Sequence, residues 1–231
     1  MRHERAAMNW AVVVAAAAVG LAGAACRAPA ELKLSDAGPD DSAVPGMTYV
    51  WNFDSDAAGG SPAGFAAVLG DWTVAADATA PSLPNVLRQT GAFGSGDFPR
   101  IFVTDVSFAD LSVSVRCRPE SGSTDEACGL MFRLVDEDNY FITRANALEG
   151  NVRLYKVVGG ARLQIGSAAA PVTAGEWHTL AATACGSALT VSWDGAALIS
   201  LDDATFAGGK IGLWTKADSV TAFDDLTATA Q

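Results

Sequence analysis

The sequence predicts an all-β domain, a two-sheet antiparallel sandwich of the jelly-roll kind, on three observations. Short segments of alternating polarity recur at roughly ten-residue spacing. Glycine, aspartate and asparagine stand between them, as turns require. No long amphipathic helix follows residue 47, so the apolar segments must bury against other strands.

The alternation is clearest in Asp110 to Arg116, where Leu111, Val113 and Val115 fall on one side and Ser112, Ser114 and Arg116 on the other. Strands are next expected over Gly129 to Val135, Tyr140 to Ala145 and Val152 to Val158. Trp177 to Ala184, Leu189 to Trp193, Ala197 to Leu201, Lys210 to Thr215 and Ala222 to Thr227 complete the set, each about the length of a sheet strand. Asp194-Gly195 suits a type I′ hairpin, because both residues tolerate positive φ. Gly159-Gly160, Cys185-Gly186-Ser187 and the polar run Asp136 to Asn139 serve as further turns.

The N-terminus carries different chemistry. Met1 to Arg5 is a charged start, Ala11 to Leu21 an uncharged apolar run, and small residues follow up to Cys26. That order is what a signal peptidase reads, and the run is shorter than the roughly 20 residues of a transmembrane helix. Residues 1–26 are therefore expected to direct export. Ala22-Gly23-Ala24-Ala25-Cys26 resembles a lipoprotein lipobox, with Gly23 where an aliphatic residue is usual; lipidation of Cys26 competes with ordinary cleavage after Ala24 or Ala25. The expected location is the bacterial outer membrane or cell envelope, or otherwise the periplasm or medium, with membrane contact only through lipid at Cys26. Residues 27–46, rich in Pro, Ala, Asp and Ser, read as a solvated tether, leaving 47–231 as one domain.

A formal net charge of -11 argues against nucleic acid as a partner and is compatible with neutral sugars. Export permits disulfides, but the domain holds an odd number of cysteines, Cys117, Cys128 and Cys185, so one thiol is left over. Cys117 and Cys128 flank a polar loop between two strands, which favours a cross-hairpin bond. Cys117 with Cys185 is the second choice.

Several segments together carry a resemblance. They are Cys128 to Phe141 (CGLMFRLVDEDNYF), Arg144 to Glu149, Asn151 to Lys156, Gly175-Glu176-Trp177-His178, Trp193-Asp194-Gly195, Gly212 to Asp218 and Phe223 to Leu226. The domain resembles concanavalin A-like lectin and glucanase sandwiches. Within these it is most similar to bacterial secreted domains of the 3-keto-disaccharide hydrolase type, loosely called family 16 glycoside hydrolase-like. A more distant likeness is to laminin-G-like modules, which would make it a structural or adhesion domain without catalysis. The resemblance implies a carbohydrate ligand and, if the chain is an enzyme, a glycoside or 3-keto-disaccharide hydrolase. This fold hosts lectins, adhesion modules and enzymes alike, so it does not assign an activity.

The retaining glucanases of the fold carry Glu-x-Asp-x-x-Glu, which places two carboxylates about 5 Å apart. No Glu-x-Asp occurs in this chain. Serine-nucleophile and phosphate-loop motifs are absent too, and His178, the one histidine of the domain, is expected to be structural. The better candidate is a polar sheet face. Strand alternation puts Tyr140, Arg144 and Asn146 on one side, Trp214 and Lys216 on one side, and Arg133 opposite Phe132 and Leu134. Joined in one groove these six would bind ligand, aromatic rings covering a pyranose face and polar groups reading its hydroxyls. Glu149 is the nearby carboxylate for catalysis. The same residues also fit the solvated outer face of a sheet, with Arg144 and Glu149 as a structural ion pair. Trp51, Trp72, Trp177 and Trp193 are expected in the core. No cofactor is required, although Asp54, Asp56 and Asp224 offer hard oxygens for a structural Ca²⁺ and also fit solvated turns.

Overall fold

The computed structural model describes residues 41–231. The export segment 1–26, the lipidation site Cys26 and the tether as far as residue 40 lie outside the described residues. The end of the tether is already docked. Ser42 bridges Ser107, Ala43 packs on the core, and Gly46 N donates to Ala230 O at 2.9 Å.

Fifteen strands make up the domain, in chain order β1 (Thr48–Trp51), β2 (Phe65–Leu69), β3 (Trp72–Ala76), β4 (Asn85–Gln89) and β5 (Arg100–Val103). These are followed by β6 (Leu111–Ser121), β7 (Ala127–Asp136), β8 (Asn139–Asn146), β9 (Asn151–Val158) and β10 (Ala161–Ala169). The last five are β11 (His178–Cys185), β12 (Ala188–Trp193), β13 (Ala196–Asp202), β14 (Lys210–Trp214) and β15 (Val220–Ala230). All pairings are antiparallel. One sheet runs β13-β12-β11-β6-β15-β4-β3, with β1 also on β15; the other runs β10-β9-β8-β7-β14-β5-β2.

The nine expected strands are all present. Five short N-terminal strands and β10 add to them, and these had no clean alternation to announce them. Asp194 and Gly195 both adopt positive φ, as the expected hairpin requires.

The main core lies between the sheets. Leu111, Val113, Val115, Leu180 and Phe223 come from one side, and Leu130, Phe132, Phe141, Leu154 and Leu213 from the other. Trp72 and Trp193 are buried in it, while Trp51 is half-buried against it. Trp177 is half-buried under the Arg118 guanidinium at 4.8 Å. His178 is structural: its ring stacks on Trp193, and Nδ1 sits 2.8 Å from Asp194 Oδ2.

A disulfide joins Cys117 to Cys128, the expected pair, but not across a hairpin. β6 pairs with β11 and β15, whereas β7 pairs with β8 and β14, so the bond spans the core from sheet to sheet. None of the described cysteines is free, so the leftover thiol expected from the odd count is not there.

The outer face of the seven-stranded sheet carries a second apolar cluster, including Met131, Tyr140, Ile142, Tyr155 and Trp214, with Phe98 and Phe102 against it. Trp214 lies flat on the sheet because Gly129 faces it; a Cβ there would meet the indole at 2.8 Å. Residues 90–99 fold over the cluster and stack Phe98 on Trp214 at 5.4 Å between ring centroids.

Candidate functional site

Beside that apolar cluster the same sheet face turns polar. Arg144 of β8 stands opposite Gly129 on one side and Arg153 of β9 on the other. Tyr155 follows two residues later on the same face. The β8–β9 turn brings Glu149 back over them: its Oε2 lies 2.9 Å from Arg144 Nη2 and 2.9 Å from Arg153 Nη2. Asn151 donates its Nδ2 to the same oxygen at 3.2 Å and accepts from Arg144 Nη1 at 2.5 Å. The Tyr155 hydroxyl lies 3.5 Å from Arg144 Nη2 and 3.4 Å from Arg153 Nη1.

These groups form two layers. Arg144, 2 % exposed, and Tyr155 lie beneath. Glu149 and Arg153 lie above, with side chains 35 % and 30 % exposed, beside the half-buried Asn151. Burial alone would raise the Glu149 carboxyl. The Asn151 amide and the Arg144 and Arg153 guanidinium groups outweigh it and hold the carboxyl below its ordinary range.

A second carboxylate completes the polar region. Asp125 accepts from Lys216 Nζ at 2.6 Å and from Asn146 Nδ2 at 2.6 Å, and Asn146 Oδ1 accepts from Glu149 N at 3.0 Å. The loop that presents Asp125 is itself held by Asp218, whose carboxylate accepts from the backbone N–H of Ser123, Thr124 and Asp125. Those hydrogen bonds, that of the Ser123 hydroxyl foremost, hold the Asp218 carboxyl well below the usual range.

Of the six expected ligand contacts, Arg144, Asn146 and Lys216 do meet around Glu149 and Asp125. Arg144 and Asn146 are buried, however, and support the exposed layer rather than present themselves. Tyr140 and Trp214 share the face but sit inside the apolar cluster, covered by Phe98 and by residues of the neighbouring strands. Arg133 is not in the site at all. A bulge in β7 and a positive φ at Arg133 turn its side chain to the end of the sandwich. There it donates to Ala109 O, Gly186 O and Phe206 O and pairs with Asp110 at 3.0 Å. It is a buried cross-link between loops, not a ligand contact.

The expected calcium site does not form either. Asp54 is held by Asn52 and Asn85, Asp56 by Ala63, and Asp224 by Ser82. No group of three acidic, histidine or cysteine side chains converges to hold a metal among the described residues.

Arg153, Tyr155 and Asp125 belong to the site and were not singled out in the sequence. Alternation applied to β9, as to β8, would have found the first two. Asp125 sits in a loop whose course only tertiary hydrogen bonds decide.

No protein-family model matches the chain, and no curated protein matches it. Solved structures do match. The carbohydrate-binding module CBM66 from Bacillus subtilis superposes with a TM-score of 0.61 at 21% identity, covering 72% of this chain and 96% of that one. A Crh5 transglycosylase in complex with NAG gives 0.57 at 15% identity, over 83% of this chain and 87% of its own. A GH16 protein of Bacteroides ovatus with a bound glucan product gives 0.51 at 11% identity, over 68% and 84%. The fold is a concanavalin A-like jelly roll. At these identities the likeness establishes the architecture and leaves the chemistry to the residues.

Proposed function

We propose that this is an exported protein whose jelly roll binds carbohydrate on the outer face of its seven-stranded sheet. The observation that carries the reading is the layered cluster at Glu149. A half-exposed carboxylate and guanidinium stand side by side, fixed from beneath by the buried Arg144 and Tyr155. Such a pair accepts from one sugar hydroxyl and donates to the next, and the buried layer removes the entropy cost of ordering it on binding. The adjoining Lys216 and Asn151 extend the polar surface. Export is supported by the order of charged, apolar and small residues before Cys26, and the Cys117–Cys128 disulfide suits an oxidising compartment. Lipid attachment at Cys26 belongs to the same reading, and loss of palmitate labelling in Cys26→Ala tests it.

Binding is favoured over catalysis by the charge state of the carboxylates. Glu149 is held ionised by its neighbours, so it cannot serve as a proton donor at neutral pH, and Asp125 is occupied by Lys216 and Asn146. Hydrolysis of 3-keto-disaccharides, which the resemblance implies, would leave Glu149 only the role of base or nucleophile. Titration calorimetry of ligands selected on a glycan array, together with a turnover assay on 3-keto-glucosides, tests both readings. Saturable binding lost in Arg153→Gln and Glu149→Gln, with no turnover, is expected. Turnover lost in Glu149→Gln would establish the hydrolase instead, and no binding to any glycan would refute a carbohydrate site.

A further inference from the structure

We propose that the saccharide recognised on this face carries a carboxylate, as in a uronic acid oligomer. The inference rests on the carbohydrate reading above and assigns its ligand class.

Three guanidinium groups gather around one phenol. Arg144 and Arg153 reach the Tyr155 hydroxyl, and the Arg162 guanidinium lies over the Tyr155 ring, 4.6 Å from its centroid. Arg162 comes from β10, which places it opposite Val157 on the same face. It also lies 4.5 Å from the Phe98 centroid, so its charge rests on aromatic rings rather than on an acid. Arg100 of β5, opposite Trp214, brings a further cation to this face, and its donors go to the Phe98 and Glu137 carbonyls.

Five cationic side chains, Arg100, Arg144, Arg153, Arg162 and Lys216, thus share one sheet face. The carboxylates paired with them are two, Glu149 and Asp125. Glu149 is shared between two arginines, and neither Arg100 nor Arg162 has an acidic partner among the described residues. This excess of cations over ion-paired carboxylates stands on a chain of formal net charge -11, against whose overall field it runs, with Asp138 the further acid that acts on Tyr140 of this face. Like charges held close and half-desolvated are unfavourable until an anion joins them. Half-exposed Arg153, held by Glu149 at one terminal nitrogen and by the Tyr155 hydroxyl at the other, and Arg162 over the Tyr155 ring present planar guanidinium groups whose remaining donors match a carboxylate.

The test is calorimetry of the intact protein with galacturonate and mannuronate oligosaccharides, their carboxyl-reduced neutral counterparts, and a sulfated neutral oligosaccharide. A uronate oligosaccharide is expected to bind about tenfold or more tighter than its reduced form. The difference should shrink as salt rises from about 50 to about 300 mM. Arg162→Gln should lower uronate affinity about fivefold or more, and Arg162→Lys, which keeps the charge, should lower it less. Arg153→Gln serves as the second variant should Arg162→Gln unfold. Equal affinity for uronate and reduced oligosaccharides would overturn the ligand class and leave the carbohydrate reading standing. Tighter binding of the sulfated sugar would overturn the carboxylate assignment, and no binding of any saccharide would overturn both.

Discussion

Arg144 Nη2 lies 2.9 Å from Glu149 Oε2, and the two partners face different media. The guanidinium is buried on the sheet, whereas the carboxylate reaches solvent. A pair of this kind is asymmetric: losing the buried member leaves more than one acceptor unsatisfied, and losing the exposed one leaves water to help.

Arg144→Ala is therefore expected to destabilise the domain as well as to weaken binding. It strips the donors from Asn151 Oδ1 and Glu149 and opens space beside the Tyr155 hydroxyl. A loss of about 2 kcal/mol would lower the melting temperature by about 4–8 °C. Differential scanning calorimetry checks this; an unchanged melting temperature would mean that Arg144 only contacts ligand. Arg153→Ala, at the exposed edge, should change the melting temperature far less.

Arg144 and Asn146 were legible because β8 alternates without interruption. At Arg133 a bulge and a positive φ break the two-residue period, and nothing in the local sequence marks the break. Alternation puts Trp214 on the correct face, yet the segment that stacks Phe98 on it arrives from residues 90–99, far away in sequence. Arg162 is not legible because β10 carries an irregularity between Gln164 and Gly166 that breaks its alternation and hides the strand. The sandwich itself was plain, since long central strands such as β6 declare one buried and one exposed face.

Trp214→Ala should act on folding rather than on recognition. The indole is 0 % exposed, packs on Gly129 and carries Phe98. Removing an aromatic of this size from a packed cluster costs about 3–5 kcal/mol. Urea titration should show a midpoint well below that of the wild type. A ligand platform would instead lose affinity with its midpoint intact.

The Cys117–Cys128 bond ties the two sheets across the core, and the loop it closes has a sequence separation of 11. Restricting the unfolded chain by a loop of that order is worth about 2–3 kcal/mol. Replacing both cysteines by alanine should lower the unfolding midpoint accordingly while the far-ultraviolet spectrum keeps its β form. Loss of that spectrum would make the bond a requirement for folding.

Asp224 gives a pH signature whose sign is unusual for a carboxylate. Burial in β15 pushes its carboxyl up, and the Ser82 N–H and hydroxyl and the Asp225 N–H offset this only in part, leaving it at about 6. An aspartate in the unfolded chain releases its proton near 3.8. Between that pH and about 6 the folded state thus holds the proton that the unfolded state has lost. Folding stability from this group is complete below the lower value and declines as pH rises through the upper one. The full decline amounts to at most about 3 kcal/mol. Melting temperatures measured from about pH 4 to about pH 7 should carry this falling component, and Asp224→Asn should remove it, since the amide keeps one acceptor for Ser82 and has no proton to lose. A wild-type and variant difference that does not change with pH over this interval would place the Asp224 carboxyl in its ordinary range.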